Sequence, residues 1–133
     1  MIREEICCLI RDKAVKMSGD PDLDSWCAIC STAIALAFID NKFDARIRIG
    51  DFRGTDSHCW VWSDDLNHYD ITATQFSAYD EILIVPEDDA VMFPQPWEEV
   101  DPHFEEEIEE SFRKWPEEQR PNRRKMRELL RAI

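Results

Sequence analysis

The stretch WCAICSTAIALAFID, residues 26 to 40, constrains the fold of this chain more than any other part of the sequence. Apolar residues lie on nearly every side of the helix that this stretch would form, so the helix has no face suited to solvent. The stretch is also shorter than the roughly 18 apolar residues that a membrane span needs. We therefore expect a helix that is capped by Asp24 or Ser25, ends near Asp40 and is buried by other elements on all sides.

The flanking patterns supply elements that could bury this helix. Residues 2 to 17 have apolar residues at helical spacing, and SGDP at 18 to 21 ends that amphipathic helix. Four later segments have the alternation or the short apolar run that is typical of strands. These segments are ARIRIG (45–50), HCWVW (58–62), HYDIT (68–72) and EILIV (81–85). Because SDDLN at 63 to 67 is typical of a turn, the simplest arrangement is an antiparallel meander of about four strands.

The last third of the chain predicts helices after an irregular stretch. Prolines mark residues 86 to 97 as irregular, and Asp101 followed by Pro102 predicts a helix start. A final amphipathic helix follows Pro121. We expect one α+β domain over residues 1–133, with its functional core at about 24–85 and a C-terminal helical extension at about 97–133.

Composition narrows the partners and the compartment. The chain has 29 acidic residues against 16 lysines and arginines, and its net charge of -13 would repel nucleic acids and anionic membranes. The start, MIREEICCLIRDK, has no apolar signal-peptide core. Five cysteines make a poor disulfide framework and fit free thiols in a reducing compartment. We expect a cytoplasmic protein, or an effector translocated without a cleavable signal, that acts on a protein or peptide.

Two chemistries could use Cys27 and Cys30 as a CxxC pair. A redox dithiol would resemble the WCxxC of thioredoxin, whose fold places a strand directly before the motif, whereas KMSGDPDLDS contains no strand-like run. A zinc site would add His58 and Cys59, which point to opposite faces if they are neighbours on one strand. Both alternatives stay open, but the preferred expectation has no metal and no cofactor.

The third chemistry is a single nucleophilic thiol at a helix N-terminus. Such a thiol needs a base within reach and a third group that holds the base. His58 and Asp70 lie on the two arms of the predicted hairpin and share a face if they are directly opposite. That register requires a hairpin loop with an odd number of residues, or a bulge. The N–H groups at the helix start would then stabilise the thiolate of Cys27 and a developing oxyanion.

These residues resemble the papain-like and transglutaminase-like superfamily of cysteine enzymes, in its small bacterial form. The resemblance covers about residues 24 to 85 and rests on a Cys at the start of a buried helix, an HxW strand at His58 and a DxT strand at Asp70. It implies that Cys27 attacks an amide to form a thioester, that His58 transfers the proton and that Asp70 orients the imidazole. Papain relatives also have a Gln ahead of the Cys, and residues 1 to 26 contain none.

The missing glutamine leaves the oxyanion hole to other groups. The candidates for that role, or for substrate contacts, are Trp26, Trp60 and Gln75. The resemblance implies a cysteine-dependent amide hydrolase or acyl transferase, which would be a thiol protease, a glutamine deamidase or a transglutaminase-like enzyme. The alternative from another class is a non-catalytic acidic interaction or inhibitor protein on the same scaffold.

Overall fold

The computed structural model describes residues 1–54, 57–76 and 80–133. In this part the chain forms four α-helices and a five-stranded antiparallel sheet, which confirms the α+β class. The helices are α1 (Arg3–Ser18), α2 (Cys27–Asp40), α3 (Glu105–Ser111) and α4 (Arg123–Leu130). The strands are β1 (Ala45–Asp51), β2 (Ser57–Ser63), β3 (Asn67–Asp70), β4 (Leu83–Pro86) and β5 (Trp97–Val100). Short 3-10 helices lie at Ala73–Phe76 and Glu117–Gln119.

Helix α2 lies at the centre of the main core. Every residue from Cys27 to Ala35 is buried, because α1 and α4 pack against α2 together with strands β1 and β2. This confirms the expectation of a helix that is buried all round. No helix in the described ranges is long and apolar enough to cross a membrane.

The sheet has the strand order β4-β3-β2-β1-β5, and both of its faces are covered. One face packs on the helices through side chains such as Ile47, Val61 and Tyr69. The other face carries Trp60, which packs in a second cluster with Phe93 from the stretch between β4 and β5. Residues on β2 therefore point alternately into two different apolar environments.

The fifth strand was not expected from the sequence. Strand β5 pairs antiparallel with β1 at the edge of the sheet, where Glu99 lies directly opposite Arg48. The two side chains form an ion pair with an Nε to Oε2 distance of 2.9 Å. The sequence WEEV hides this strand because two adjacent acidic residues break the alternation.

The predicted helix start at Asp101 and Pro102 is also wrong. Helix α3 begins at Glu105, after the N-cap residue Phe104. Asp101 instead closes a turn, in which its Oδ1 accepts a hydrogen bond from the backbone N–H of His103 at 3.0 Å. An aspartate bonded to the backbone two residues on is as typical of a turn as of a helix cap.

Candidate active site

The three residues expected to act together come from element ends that meet at one end of the sheet. Cys27 is the first residue of α2, His58 is the second residue of β2, and Asp70 is the last residue of β3. All three are buried: Cys27 exposes 6% of its surface, His58 1% and Asp70 2%. Side chains that are far apart in sequence are thus held together in one buried site.

A short hydrogen bond joins His58 to Asp70. The distance between His58 Nε2 and Asp70 Oδ2 is 2.6 Å. The other carboxylate oxygen, Oδ1, accepts from the backbone N–H of Thr72 at 2.8 Å and from its hydroxyl at 3.1 Å. Both oxygens of the Asp70 carboxylate therefore have partners, and Thr72 of the DxT motif supplies the donors for Oδ1. This arrangement fixes the orientation of the imidazole.

The register of the hairpin differs from the expected one. Val61 pairs with Tyr69 and Ser63 with Asn67, which leaves a three-residue loop at 64–66. Continuing this register places Trp60, and not His58, opposite Asp70. The loop is odd-numbered as expected, but direct opposition of His58 and Asp70 is wrong. Because a shift of two residues keeps the same face, the two side chains still meet diagonally.

Cys59 and His58 both lower the pKa of the Cys27 thiol. The hydrogen bond from the Cys59 thiol contributes most, and with the bond and charge of His58 it outweighs burial and lowers the pKa of Cys27 from 9.0 to about 5. Burial opposes protonation of His58, but the charge and hydrogen bond of Asp70 raise its pKa from 6.5 to about 10. Between these two values the pair is a thiolate and an imidazolium. His58 Nε2 faces Asp70, which leaves Nδ1 for the thiol.

The N-terminus of α2 is not capped as predicted. Its N-cap residue is Trp26, which makes no side-chain capping hydrogen bond, so the expectation that Asp24 or Ser25 caps the helix is wrong. The physical reason lies in the preceding loop. The Asp20 carboxylate accepts from the backbone N–H groups of Asp22 at 2.9 Å and Asp24 at 3.0 Å, and Ser25 has a positive φ of 67°. The first turn of α2 thus begins beside the thiol without a carboxylate cap.

Aromatic rings surround His58 on the second face of the sheet. The ring centroid of Phe76 lies 4.9 Å from that of His58, and the centroid of Phe52 lies 5.5 Å away. Trp60 stacks on His58 at 6.2 Å and donates its Nε1–H to Nδ1 of His68 at 2.6 Å. Trp60 is fully buried, so it supports the imidazole from the protein interior instead of offering an open surface to substrate.

His68 also contacts Trp60, but its other polar partner differs from that of His58. Its Nε2 lies 3.2 Å from the carbonyl oxygen of Glu87, and burial lowers its pKa from 6.5 to about 4. His68 is therefore a neutral partner of Trp60 at neutral pH. His103 is exposed and pairs with Asp101 at 2.7 Å. Neither histidine lies at the thiol.

Trp26 and Gln75, the two remaining candidates for the oxyanion hole or for substrate contacts, differ in their surroundings. The ring of Trp26 is half-buried and lies under Lys125 of α4, with Nζ 5.1 Å from the ring centroid. Gln75 belongs to the 3-10 helix that follows Thr72, and its Nε2 is buried with no hydrogen-bond partner in the described part of the chain. A buried amide donor without an acceptor is expected to find one when a ligand binds.

Several features of the structure concern the redox and zinc alternatives for Cys27 and Cys30. Residues 1–44 are all described and contain α1 and α2 with no strand before Cys27. Burial, followed by the charge of Cys27, raises the pKa of Cys30. All five cysteines are free, and the described residues contain no group of three or more His, Cys, Asp or Glu side chains arranged to hold a metal ion.

Sequence reasoning missed two residues that shape the site. The sequence suggests Cys59 only as a zinc ligand, whereas in the structure Cys59 contributes most to the lowered pKa of Cys27. Arg11 of α1 is buried and donates to the carbonyl oxygens of Ile71 and Pro21, so it ties the segment after Asp70 to the loop before Cys27. The one available signal was a charged residue beside the apolar stripe of α1.

Comparisons with known proteins leave the chain without an assigned relative. No protein-family model, no curated protein sequence and no solved structure matches it. The geometry of the site is therefore the basis on which a function is assigned.

Proposed function

We propose that this protein is a cysteine-dependent amide hydrolase or acyl transferase that acts on a protein or peptide, built on a papain-like or transglutaminase-like core. The observation that carries the proposal is the buried 2.6 Å hydrogen bond between His58 and Asp70, together with a buried Cys27 thiol whose pKa the His58 imidazole lowers. A nucleophile, a base and a group that orients the base are the parts that acyl transfer needs. The site of action is a reducing compartment such as the cytoplasm, in keeping with five free thiols.

The first half of the reaction makes a thioester. The thiolate of Cys27 attacks the amide carbonyl carbon, and the π electrons move to the carbonyl oxygen. When the oxyanion collapses, the C–N bond breaks and the leaving amine takes a proton from the His58 imidazolium. Asp70 holds the ring so that its second nitrogen faces the sulfur and the leaving group.

The second half regenerates the thiolate. Neutral His58 takes a proton from water as the water oxygen attacks the thioester, and collapse of that intermediate releases a carboxylic acid and the Cys27 thiolate. A side-chain amide of glutamine gives deamidation, a backbone amide gives proteolysis, and an amine in place of water gives transamidation. Backbone N–H groups at the start of α2 and the unpartnered Nε2 of Gln75 are the donors we assign to the oxyanion.

The burial of the site favours a second candidate. Cys27 exposes only 6% of its surface, and the chain carries a net charge of -13. A non-catalytic acidic protein that binds a basic partner would have both features, and its thiol would not need access to a polypeptide. The two candidates differ in whether a polypeptide is ever chemically altered.

A mass-spectrometric survey of reaction products tests the proposal. Purified protein is incubated with denatured proteins and with glutamine-containing peptides, and products are scored for chain cleavage or for conversion of an amide to an acid. We expect turnover by the wild type, none by Cys27→Ala, and near wild-type turnover by the matched control Cys30→Ala. Turnover that survives in Cys27→Ala would reject the proposal. Binding without turnover in all three proteins would establish the second candidate.

A further inference from the structure

A second thiol faces Cys27 across the contact between α2 and β2. Ser31, one turn after Cys27, donates its hydroxyl to the backbone oxygen of Cys59 at 3.2 Å, which holds Cys59 level with the start of the helix. Cys59 lies on the helix-facing side of the sheet, opposite Ile49. Cys27 and Cys59 lie in the same buried core, and each thiol changes the pKa of the other. The amide chemistry proposed above gives this second thiol no chemical step of its own.

We propose that Cys59 is a resolving thiol, so that oxidation of Cys27 by a hydroperoxide ends in a reversible Cys27–Cys59 disulfide. The inference goes beyond the amide chemistry and requires only a reactive thiolate at Cys27. It therefore stands or falls separately from the proposed hydrolase activity.

The oxidation proceeds in two balanced steps. The Cys27 thiolate attacks the distal oxygen of the hydroperoxide, the O–O bond breaks, and the departing alkoxide or hydroxide takes a proton from the His58 imidazolium. Sulfur is oxidised to the sulfenic acid and the peroxide is reduced to an alcohol or water. The Cys59 sulfur then attacks that of Cys27 as the Cys59 thiol gives its proton to the hydroxyl of the sulfenic acid. The S–S bond forms, the S–O bond breaks, and the hydroxyl leaves as water.

The negative charge of the Cys27 thiolate explains why Cys59 does not react before Cys27 is oxidised. In the reduced protein, burial and then the neighbouring Cys27 thiolate raise the pKa of Cys59, so its thiol stays protonated and donates to Cys27. Conversion of Cys27 to the sulfenic acid removes that negative charge. Loss of its proton then makes Cys59 the attacking group.

Cys30 is the competing partner, and its contacts differ from those of Cys59. It lies on the same helix as Cys27, whose charge raises the pKa of Cys30, whereas Cys59 comes from β2 and contributes most to the lowered pKa of Cys27. Trypsin distinguishes the two outcomes. Cys27 and Cys30 lie on one tryptic peptide, residues 17–42, and Cys59 is the only cysteine of another, residues 54–113. A Cys27–Cys59 bond joins two peptides, and a Cys27–Cys30 bond joins none.

The experiment treats the folded full chain with a few equivalents of hydrogen peroxide near neutral pH, alkylates the remaining thiols and maps the tryptic peptides. We expect the 17–42 and 54–113 peptides to be joined, with the loss of two hydrogen atoms, and to separate with dithiothreitol. In Cys59→Ala, oxidation should continue to the sulfinic acid, seen as the gain of two oxygen atoms on Cys27. Cys30→Ala is the matched control and should still form the joined peptides.

Two outcomes would overturn the inference. One is a bond within the 17–42 peptide of the wild type, and the other is a sulfinic acid on Cys27 while Cys59 of the same molecule stays reduced. Circular dichroism shows whether each variant is folded. Because the mapping of the wild type needs no substitution, the test holds even if Cys59→Ala does not fold.

Discussion

Replacing His58 by Ala should move the pH at which Cys27 becomes reactive. The wild-type thiol has a pKa of about 5, against an ordinary value of 9.0. The His58→Ala variant loses the charge and hydrogen bond of the imidazole, so only the contribution of Cys59 still lowers the pKa of the thiol against the effect of burial. The variant is therefore expected to become reactive at a higher pH than the wild type.

The size of the effect follows from the two thiolate fractions. At pH 6 the thiolate fraction is about 0.9 for a pKa of about 5 and about 0.001 for 9.0; at pH 8 the fractions are about 1 and about 0.09. The ratio of the alkylation rate at pH 6 to that at pH 8 should thus fall from about 0.9 to as little as about 0.01. Differences in access and in intrinsic nucleophilicity cancel in this ratio, because each protein is compared with itself.

Iodoacetamide labelling with peptide mapping measures the ratio for each cysteine in one sample. The exposed Cys8 thiol is present in both proteins and serves as the internal control for the reagent. The intrinsic nucleophilicity of a thiol rises with its pKa, so the variant should also label faster than the wild type at pH 8. If the ratio for Cys27 is the same in the wild type and His58→Ala, the thiolate–imidazolium pair does not exist.

Three further predictions concern the surroundings of the thiol. Asp70→Asn should lower turnover by about 10² to 10⁴, because an amide N–H facing His58 Nε2 imposes the wrong tautomer; unchanged kcat would contradict the orienting role. Gly50→Ala should lower the free energy of unfolding in urea by about 1–3 kcal/mol, because its Cβ would lie 3.2 Å from the ring of Trp60; equal midpoints would contradict this packing. The free energy of unfolding of the wild type should exceed that of Cys27→Ser by an amount that grows as pH rises from about 5 towards neutrality. A group whose pKa is lowered in the folded protein stabilises the fold at pH values above that pKa. A difference that does not change with pH would contradict the lowered pKa of Cys27.

The elements of the fold could be predicted where a strong period repeats. Helix α2 is apolar on every side, and the alternation in ARIRIG and HCWVW distinguishes β1 and β2 from helices. Strand β5 is short, lies at an edge and pairs with β1, which is distant in the sequence, so no local pattern marks it. The start of α3 was missed because an aspartate bonds to a neighbouring N–H in a turn as well as in a cap.

The sequence predicts on which face of the sheet the candidate site residues lie, but not which of them are in contact. The period of two places His58 and Asp70 on the same side of the sheet in any register that differs by two residues, which is why the error in register did no harm. The proximity of Cys59 to Cys27 was not predictable in this way. It depends on where the N-terminus of α2 packs against the start of β2. That position is determined by contacts throughout the core, which no local sequence pattern reveals.

Trapping a thioester on Cys27 tests the central claim most directly. p-Nitrophenyl acetate is a small activated acyl donor that needs little room, so it suits a thiol that exposes 6% of its surface. After a brief reaction at pH 6 and an acid quench, we predict one acetyl group on the 17–42 peptide, located on Cys27 and removed by hydroxylamine. It should be absent from Cys27→Ala and strongly reduced in His58→Ala. Acetylation of Cys8 alone, or of Cys27 at a rate independent of His58, would contradict the account.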